Sequence, residues 1–406
     1  MQDLELFELL LEIKKPWIVS NINVDVPLKK VLLSVEYPKK TKAPCPRCKK
    51  ECPVNNRNVN RSWRHLDVMQ FETTIESAIP RINCQEHGIL TIDVPWAEAK
   101  NRYTFSFEKF AIHVLQNAAT QDSAKNMLRL SWDEVHGVME RAVERGLKNR
   151  VQENLTYIGI DEKSFLTGHK YITVLHNNET GKVIDVVQER TEAAAKILLN
   201  KIPLDQRNLI KAVTMDMWPA YINSVNEILP NADIVHDKFH IKGYLNKSVD
   251  IVRRQEHAEL LKENDGTLTK TKYLWLKNTE NLTESQDILF KELMLMHLNV
   301  GKAWSIKESF GNFWDYKSEA WANKFFNRWF FWATHSKLEP IIKVAYMLKN
   351  HFEGIITYIK HKITNSVAEG INSKIQAIKT SARGFRNFEN FRYAILFHCG
   401  GLELNP

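Results

Sequence analysis

Two kinds of residue in this chain could do chemistry: carboxylates that close apolar runs, and cysteines in closely spaced pairs. The run Tyr157-Ile158-Gly159-Ile160-Asp161-Glu162 reads as a β-branched strand ending on an acid. Such a strand holds a carboxylate still at the rim of a sheet and leaves its oxygens open. Many strands end on Asp only because the next loop is solvated, so this run alone decides little. A second run, Ala212-Val213-Thr214-Met215-Asp216, ends the same way, and a later helical segment offers Glu369. Three carboxylates from separate segments can hold divalent cations, which prefer hard oxygen ligands.

The cysteines suggest a different metal. Cys45-Pro46-Arg47-Cys48 and Cys84-Gln85-Glu86-His87 each present two ligands across a tight turn. Thiolates and an imidazole so paired meet the needs of one tetrahedral zinc ion, and four protein ligands make such a site structural. Cys52 rivals His87 as the fourth ligand, and Cys399 reads as a small core hydrophobe. Between the pairs, residues 71–82 alternate like strands, and Arg57, Arg61 and Arg64 give the ribbon a basic side suited to DNA.

These residues need scaffolds. At 406 residues the chain should divide into several domains of roughly 100 to 200 residues each. Its 56 Lys and Arg outweigh 48 Asp and Glu, a formal charge of +8 that suits a nucleic-acid partner without requiring one. Residues 1–11 read as a short amphipathic helix rather than a signal peptide. No stretch approaches the ~18 apolar residues of a membrane span, so the expected setting is intracellular, where disulfides do not persist.

Residues 107–118 and 122–128 read as helices, and Ser131-Trp132-Asp133-Glu134 is a capping box opening a third. Val135, Val138, Ala142 and Gly146 follow at helical spacing, with Arg141, Arg145 and Lys148 elsewhere on the surface. This makes a helix-turn-helix candidate, although a packing unit without DNA fits the same pattern. Strands are expected over 155–161, 170–176 and 182–187, then a helix over 192–200, the strand ending at Asp216, a helix over 219–229 and a strand over 232–235. A three-strand meander followed by strand-helix crossovers is the order of a ribonuclease-H-like fold, in which the first and fourth strands are neighbours. Asp161 and Asp216 would then be adjacent.

Residues 239–349 read as helical, with Lys242, Lys247, Arg253 and Arg254 giving a basic side. Trp321, Phe325, Trp329 and Trp332 form an aromatic stripe, expected to be core, with base stacking as the other reading. In the helix expected over 364–380, Val367, Ile371, Ile375 and Ile378 mark one face, and Asn365, Glu369, Asn372 and Gln376 another. A basic-aromatic tail with Arg383 and Arg386 follows and suits phosphate contacts. The expected fold is multidomain α+β. A zinc-ribbon DNA-binding domain with an N-terminal helix spans 1–100 and a helix-turn-helix 101–152. A ribonuclease-H-like α/β core spans 153–239 and 350–406, interrupted by an all-helical insertion over 240–349.

The order Cys-Pro-x-Cys, Cys-x-x-His, helix-turn-helix, Gly-Ile-Asp161-Glu, Met-Asp216-Met-Trp-Pro-Ala-Tyr, Asp237-Lys-Phe-His240 and Asn365-Ser-Val-Ala-Glu369-Gly-Ile-Asn372 resembles the ISL-three family of bacterial insertion-sequence transposases. The resemblance covers essentially the whole chain. One departure is that the family's ribbon usually ends Cys-x-x-Cys, where this chain has His87. It implies a DDE transposase that binds the ends of an insertion sequence and catalyses Mg-dependent DNA strand cleavage and strand transfer, with Asp161, Asp216 and Glu369 in the three acidic positions. Two Mg ions roughly 3.5 to 4 Å apart, with Mn able to substitute, would be bridged by Asp161. Trp218, Asp237, His240 and Asn372 are candidates to line the site, though Asp237 also reads as a helix cap. The implied partners are double-stranded DNA, at element ends and target, and further copies of the chain, at least a dimer on DNA, in the bacterial cytoplasm at the nucleoid. A DNA-binding regulator with an inert core and a structure-selective nuclease remain as other classes.

Overall fold

The computed structural model describes residues 3–58, 60–151, 153–166, 168, 170–277 and 279–406. Met1 and Gln2 of the expected first helix, and Gln152 at an expected domain boundary, lie outside them. The chain folds as two compact units, residues 1–150 with 381–383 and 402–406, and residues 151–380 with 384–401.

In the first unit, helix α1 (Asp3–Leu10) precedes strands β1 (Ile18–Asp25), β2 (Lys30–Glu36), β3 (Arg61–Val68) and β4 (Phe71–Ser77), which form one sheet in the order β1-β2-β4-β3. The period of two along β2 turns Val31, Leu33 and Val35 inward, where they join Trp17, Trp63, Ile75 and Trp96 in one core. Short pairings of Ala43–Pro44 with Glu51–Cys52, and of Val54–Arg57, Pro80–Cys84 and Gly88–Thr91, carry the cysteine turns.

Three helices follow: α2 (Phe105–Asn117), α3 (Gln121–Leu128) and α4 (Trp132–Lys148). The capping box forms as its spacing dictates: Glu134 N–H donates to Ser131 Oγ at 3.3 Å and Ser131 N–H donates to Glu134 Oε2 at 2.8 Å. Arg129, in the left-handed region at φ 54°, ends α3 and sets up the turn into α4. The apolar stripe Val135, Val138, Met139, Ala142, Val143 and Gly146 is buried.

The second unit is built on a five-stranded sheet: β5 (Tyr157–Leu166), β6 (Lys170–Asn177), β7 (Val183–Gln188), β8 (Ala212–Met215) and β9 (Asp233–His236), in the order β7-β6-β5-β8-β9. The first three are antiparallel, and β5, β8 and β9 are parallel. The expected meander and crossovers are therefore present, with α5 (Glu192–Asn200) before β8 and α6 (Pro219–Ile228) after it. One expectation changes: β5 continues past Asp161 to Leu166, because β6 goes on pairing with it after β8 has ended.

Alternation sorts the residues by face. Ile158, Ile160, Val213 and Met215 pack with Leu198, Leu199, Tyr221 and Val225 of α5 and α6, so Gly159, Asp161 and Thr214 point the other way. At Gly159 the side chain of His176 lies so close that a Cβ would overlap its ring, which requires glycine there. After β9 no strand occurs among the described residues, and the chain is helical from α7 (Lys238–Lys262) onward. The helices include α8 (Asn299–Gly311), α9 (Glu319–Thr334), α10 (Glu339–Asn350), α11 (Phe352–His361), α12 (Ser366–Ser381) and α13 (Phe388–Cys399). The helical region buries its own core, Trp275, Phe310, Phe313, Phe326 and Trp329 among others. Helix α13 returns to the sheet, where Arg392 grips buried Asp185 of β7 through Nε at 2.7 Å and Nη2 at 2.9 Å. No described helix is long and apolar enough to cross a membrane.

Candidate active site and metal centre

Strand register brings the acids together. Tyr157 pairs with Ala212, and Gly159 with Thr214; continuing that step, Asp161 stands level with Asp216. On the next strand Ala212 pairs with Asp233 and Met215 with His236, so Asp216 stands level with Asp237. Three neighbouring parallel strands thus deliver one aspartate each at the same height, beyond the last Gly159–Thr214 pair of the ladder between β5 and β8. Parallel sheets commonly form their sites at this carboxyl end. The sequence marked Asp161 and Asp216 for this place; it placed Asp237 only as a site-lining residue or a cap, because register across a crossover has no local signal.

Each acid is held differently. Asp161 is buried, 8% exposed; its Oδ2 accepts from Asn372 Nδ2 at 2.7 Å and its Oδ1 from the Glu162 N–H at 2.8 Å. Burial pushes its carboxyl up to about 6, with Asp237 adding to the rise and His240 opposing it. Asp216 accepts from the Met217 N–H at 2.6 Å and lies 3.5 Å from His240 Nδ1. His240 Nε2 is 3.8 Å from Asp237 Oδ2, so the ring stands between two carboxylates. Asp237 is buried and does cap α7, accepting from the Phe239 N–H at 3.1 Å. Burial raises its carboxyl, and the charges of Glu369 and Asp216 raise it further.

Helix α12 lies across this face of the sheet. Thr214 Oγ1 donates to Asn365 Oδ1 at 3.1 Å, Asn372 reaches Asp161, and Lys379 Nζ donates to the Ser164 carbonyl at 3.3 Å. Seven-residue steps on a helix return to the same side, so these contacts draw a line along α12. Glu369 falls on that line between Asn365 and Asn372, and it is solvent-exposed. The fold brings all three sequence-marked carboxylates to one end of one sheet, but not into a tight cage: among the described residues only the cysteine cluster gathers its donor atoms within 4.8 Å. Beside them, Trp218 is 39% exposed, and its Nε1 donates to the Arg190 carbonyl at 3.1 Å. Arg190 spans Glu162 Oε1 at 3.0 Å and Oε2 at 3.1 Å. Neither Glu162 nor Arg190 had been marked from sequence, because their contact lies 28 residues apart.

In the first unit Cys45, Cys48, Cys84 and His87 converge. Cys48 Sγ is 3.7 Å from Cys84 Sγ, and His87 Nδ1 is 3.6 Å from Cys84 Sγ and 3.8 Å from Cys45 Sγ. Tetrahedral zinc with bonds of ~2.3 Å to sulfur and ~2.0 Å to nitrogen sets its ligands about 3.6 to 3.8 Å apart. The donor set therefore fits one zinc ion. Cys52 is outside the cluster; its thiol donates to the Lys50 carbonyl at 3.3 Å, and burial pushes it up to about 11. The fourth member of the cluster in the fold is His87.

The cationic residues divide. Arg64 is turned inward, its side chain 10% exposed and Nη1 on the Thr73 carbonyl at 3.2 Å, with an ion pair to Asp67. Arg145 is 12% exposed and spans Glu98 at 3.1 Å, fully buried Glu108 at 2.9 Å and the Leu404 carbonyl at 2.7 Å. Arg141 leans on Glu108 at 3.6 Å, Arg57 donates to the Tyr37 carbonyl at 2.6 Å, and Arg253 and Arg254 pair with Asp250 at 2.8 and 3.3 Å. Arg64 and Arg145 are thus internal braces, a correction to their expected place on a DNA-facing surface. Arg61 is half-buried over Trp63; Lys148, Lys242, Lys247, Arg383 and Arg386 are exposed.

Both units resemble known proteins. Residues 158–395 match the family model of ISL3-type DDE elements, described as transposase, and residues 41–87 match that of the zinc-finger of transposase IS204/IS1001/IS1096/IS1165. The chain belongs to the ISL3 family of DDE transposases, enzymes that cleave DNA and transfer its strands. It is 25% identical over 351 residues to the transposase for insertion sequence element IS1001 of Bordetella parapertussis, covering 86% of each chain. It is 24% identical over 417 residues to the transposase for insertion sequence element IS1557 of Mycobacterium tuberculosis, covering 95% of this chain and 93% of that one.

Proposed function

We propose that Asp161, Asp216 and Glu369 are the catalytic carboxylates of this transposase and that they bind two Mg ions, with Mn able to substitute, on a ribonuclease-H-like core. The observation that carries this reading is the shared level of Asp161 and Asp216 on adjacent parallel strands, with α12 pinned over them by Asn365 and Asn372. The donors are hard oxygens, and His240 is the nearest cation-capable group set among them, so the site suits divalent magnesium better than softer metals. Bound there, the ions would supply an activated oxygen nucleophile and stabilise charge at phosphorus and on the leaving 3′ oxygen.

The chain's own groups do the rest. Asn372 donates to Asp161 Oδ2 and the Glu162 N–H to its Oδ1, and together they hold the carboxylate in one rotamer. His240 bridges Asp216 and Asp237 and keeps those two like charges apart. Asp237 fixes the start of α7 and so the position of His240. Trp218 and Arg190 wall the site next to Glu162. No serine or tyrosine is assigned as a nucleophile in this reading; water and then the freed 3′-OH would attack directly.

The first unit is the end-binding part of this reading: the zinc ribbon of 1–100 with the α3–turn–α4 helix-turn-helix of 101–152. Element ends and target are double-stranded DNA, two ends require at least a dimer on DNA, and the work is done at the nucleoid in the bacterial cytoplasm. The five-part division, with core segments 153–239 and 350–406 around the insertion 240–349, belongs to the same proposal. The test is cleavage of a labelled duplex carrying the element end, with Mg²⁺ or EDTA, by the parent and by Asp216→Ala. Nicking at one position that needs metal and vanishes in the variant is expected; a variant that cuts like the parent means the acids are misassigned.

A further inference from the structure

Helix α9 has the wrong outside for a surface helix. Its inner stripe, Ala322, Phe326, Trp329 and Ala333, is buried as helical packing requires. The opposite stripe is formed by Trp321, Lys324, Arg328, Phe331, Trp332 and His335, at offsets of 3, 7, 10, 11 and 14 from the first. Of these, Trp321 is 57% exposed, Phe331 63% and Trp332 40%. Of the aromatic stripe read from the sequence, Trp329 does serve the core and Phe325 is half-buried, but Trp321 and Trp332 face solvent. An unpartnered surface helix gains nothing by exposing three large rings.

The polar residues on the stripe say what covers it. From Ala320 to His335 there is no acid, whereas Lys324 and Arg328 are both exposed. Lys324 Nζ lies 5.0 Å from the Trp321 ring centre, and His335 stacks on Phe331 at 3.9 Å between centroids. Flat rings interleaved with cations and free of acids complement bases joined by phosphates. Duplex DNA hides its base faces, so the phosphates alone would leave the three rings without use; a self-association face of this kind would place like charges of two copies together.

We infer that the outer face of α9 binds DNA whose bases are unpaired, with Trp321, Phe331 and Trp332 stacking on bases and Lys324 and Arg328 meeting the phosphates between them. Cleavage leaves a DNA end, and fraying of its last base pairs exposes such bases. The inference rests on DNA being the substrate and is independent of which carboxylates bind metal.

The test uses the full chain and fluorescence anisotropy with a labelled dT20 single strand and a labelled 20-base-pair duplex, with catalysis suppressed by EDTA-free buffer containing Ca²⁺. Trp321→Ala with Trp332→Ala should weaken binding of the single strand by at least about tenfold and of the duplex by less than about twofold. The conservative pair Trp321→Phe with Trp332→Phe should keep single-strand binding within about threefold, since a ring still stacks. Arg328→Glu, an exposed position, should weaken the single strand as well. Equal losses on both DNAs, or no loss on either, would overturn the inference. So would a fall from dimer to monomer in light scattering with DNA binding intact, which would assign the face to a second copy. Failure of the cleavage test on Asp216→Ala leaves these binding outcomes unaffected, so the two readings fail separately.

Discussion

The cysteine cluster and the proposed carboxylate centre differ in one respect: the fold closes the first and leaves the second open. In the first unit four donors already stand at the spacing that an ion would impose, with Cys45 and Cys84 buried. In the second, Asp161 is buried and tied to Asn372, Asp216 is partly exposed beside His240, and Glu369 faces solvent. A closed tetrahedral shell lets the ion act as a cross-link and nothing more. A catalytic site must instead leave coordination positions for water and phosphate oxygens, so its ligands are spread and partly mutually repelling. On the proposed reading one centre is organised for stability and the other for a substrate that completes it.

That contrast can be broken most decisively at zinc. Cys84→Ala should take the bound zinc from one per chain to none by elemental mass spectrometry and abolish the melting transition of the first unit. Structural zinc supplies on the order of 10–16 kcal/mol of apparent folding free energy, as much as a domain's whole net stability. A first unit that melts normally without zinc would refute the cross-link role.

At the carboxylate centre the expectation is reversed: activity collapses and the fold does not. Asp161→Asn should cut cleavage of a labelled end by roughly a thousandfold or more, since several kcal/mol of charge stabilisation are lost at 1.36 kcal/mol per decade. The amide oxygen can still accept from Asn372; the bond from the Glu162 N–H is lost, but so is a buried charge that lies near Asp237. Calorimetry of the metal-free proteins at neutral pH should therefore show the variant at least as stable as the parent. A large drop in its melting temperature would mean that Asp161 is structural.

Titration sharpens the contrast further. Asp161 is raised from an ordinary value of 3.8 to about 6, so the metal-free fold favours its neutral form only below about pH 6. Its contribution to stability is full below its unfolded pKa and is lost as pH rises through about 6. Binding of a divalent ion must displace that proton, so affinity rises over the same interval. Added Mg²⁺ should thus raise the melting temperature of the second unit more at pH 7.5 than at pH 5, and Asp161→Asn should abolish the difference. Equal shifts at both pH values would remove Asp161 from the ligand set.

Sequence alone went further at the closed centre than at the open one, for a physical reason. Both halves of the zinc set are local turns, and the spacing of Cys45 with Cys48 and of Cys84 with His87 is itself the geometry. The acids depend on strand register, which is tertiary: the run to Asp161 and the run to Asp216 were legible, but that Asp237 shares their level was not. The extension of β5 to Leu166 was hidden because pairing with β6 sustains the polar stretch Glu162-Lys163-Ser164. Glu369 could be placed on its face by helical spacing, since α12 carries its periodicity within itself. The arginines misled where their partners are remote, as with Arg145, whose carboxylates lie 47 and 37 residues away.

The smallest expected effect tests which residues the closed centre includes. Cys52 is near the cluster in sequence and is buried, and spacing left it equal to His87 as a ligand. In the fold its sulfur spends its hydrogen on the Lys50 carbonyl, and a thiol pushed up to about 11 stays protonated at neutral pH, whereas zinc binds the thiolate. Cys52→Ser keeps a donor for that carbonyl and should leave zinc content and affinity unchanged in a chelator competition. His87→Ala should weaken zinc binding in the same assay, and His87→Cys should restore it, because sulfur is an equally good fourth ligand. If Cys52→Ser instead releases the metal while His87→Ala holds it, the shell is four cysteines, and the imidazole seen 3.6 Å from Cys84 Sγ is only a neighbour.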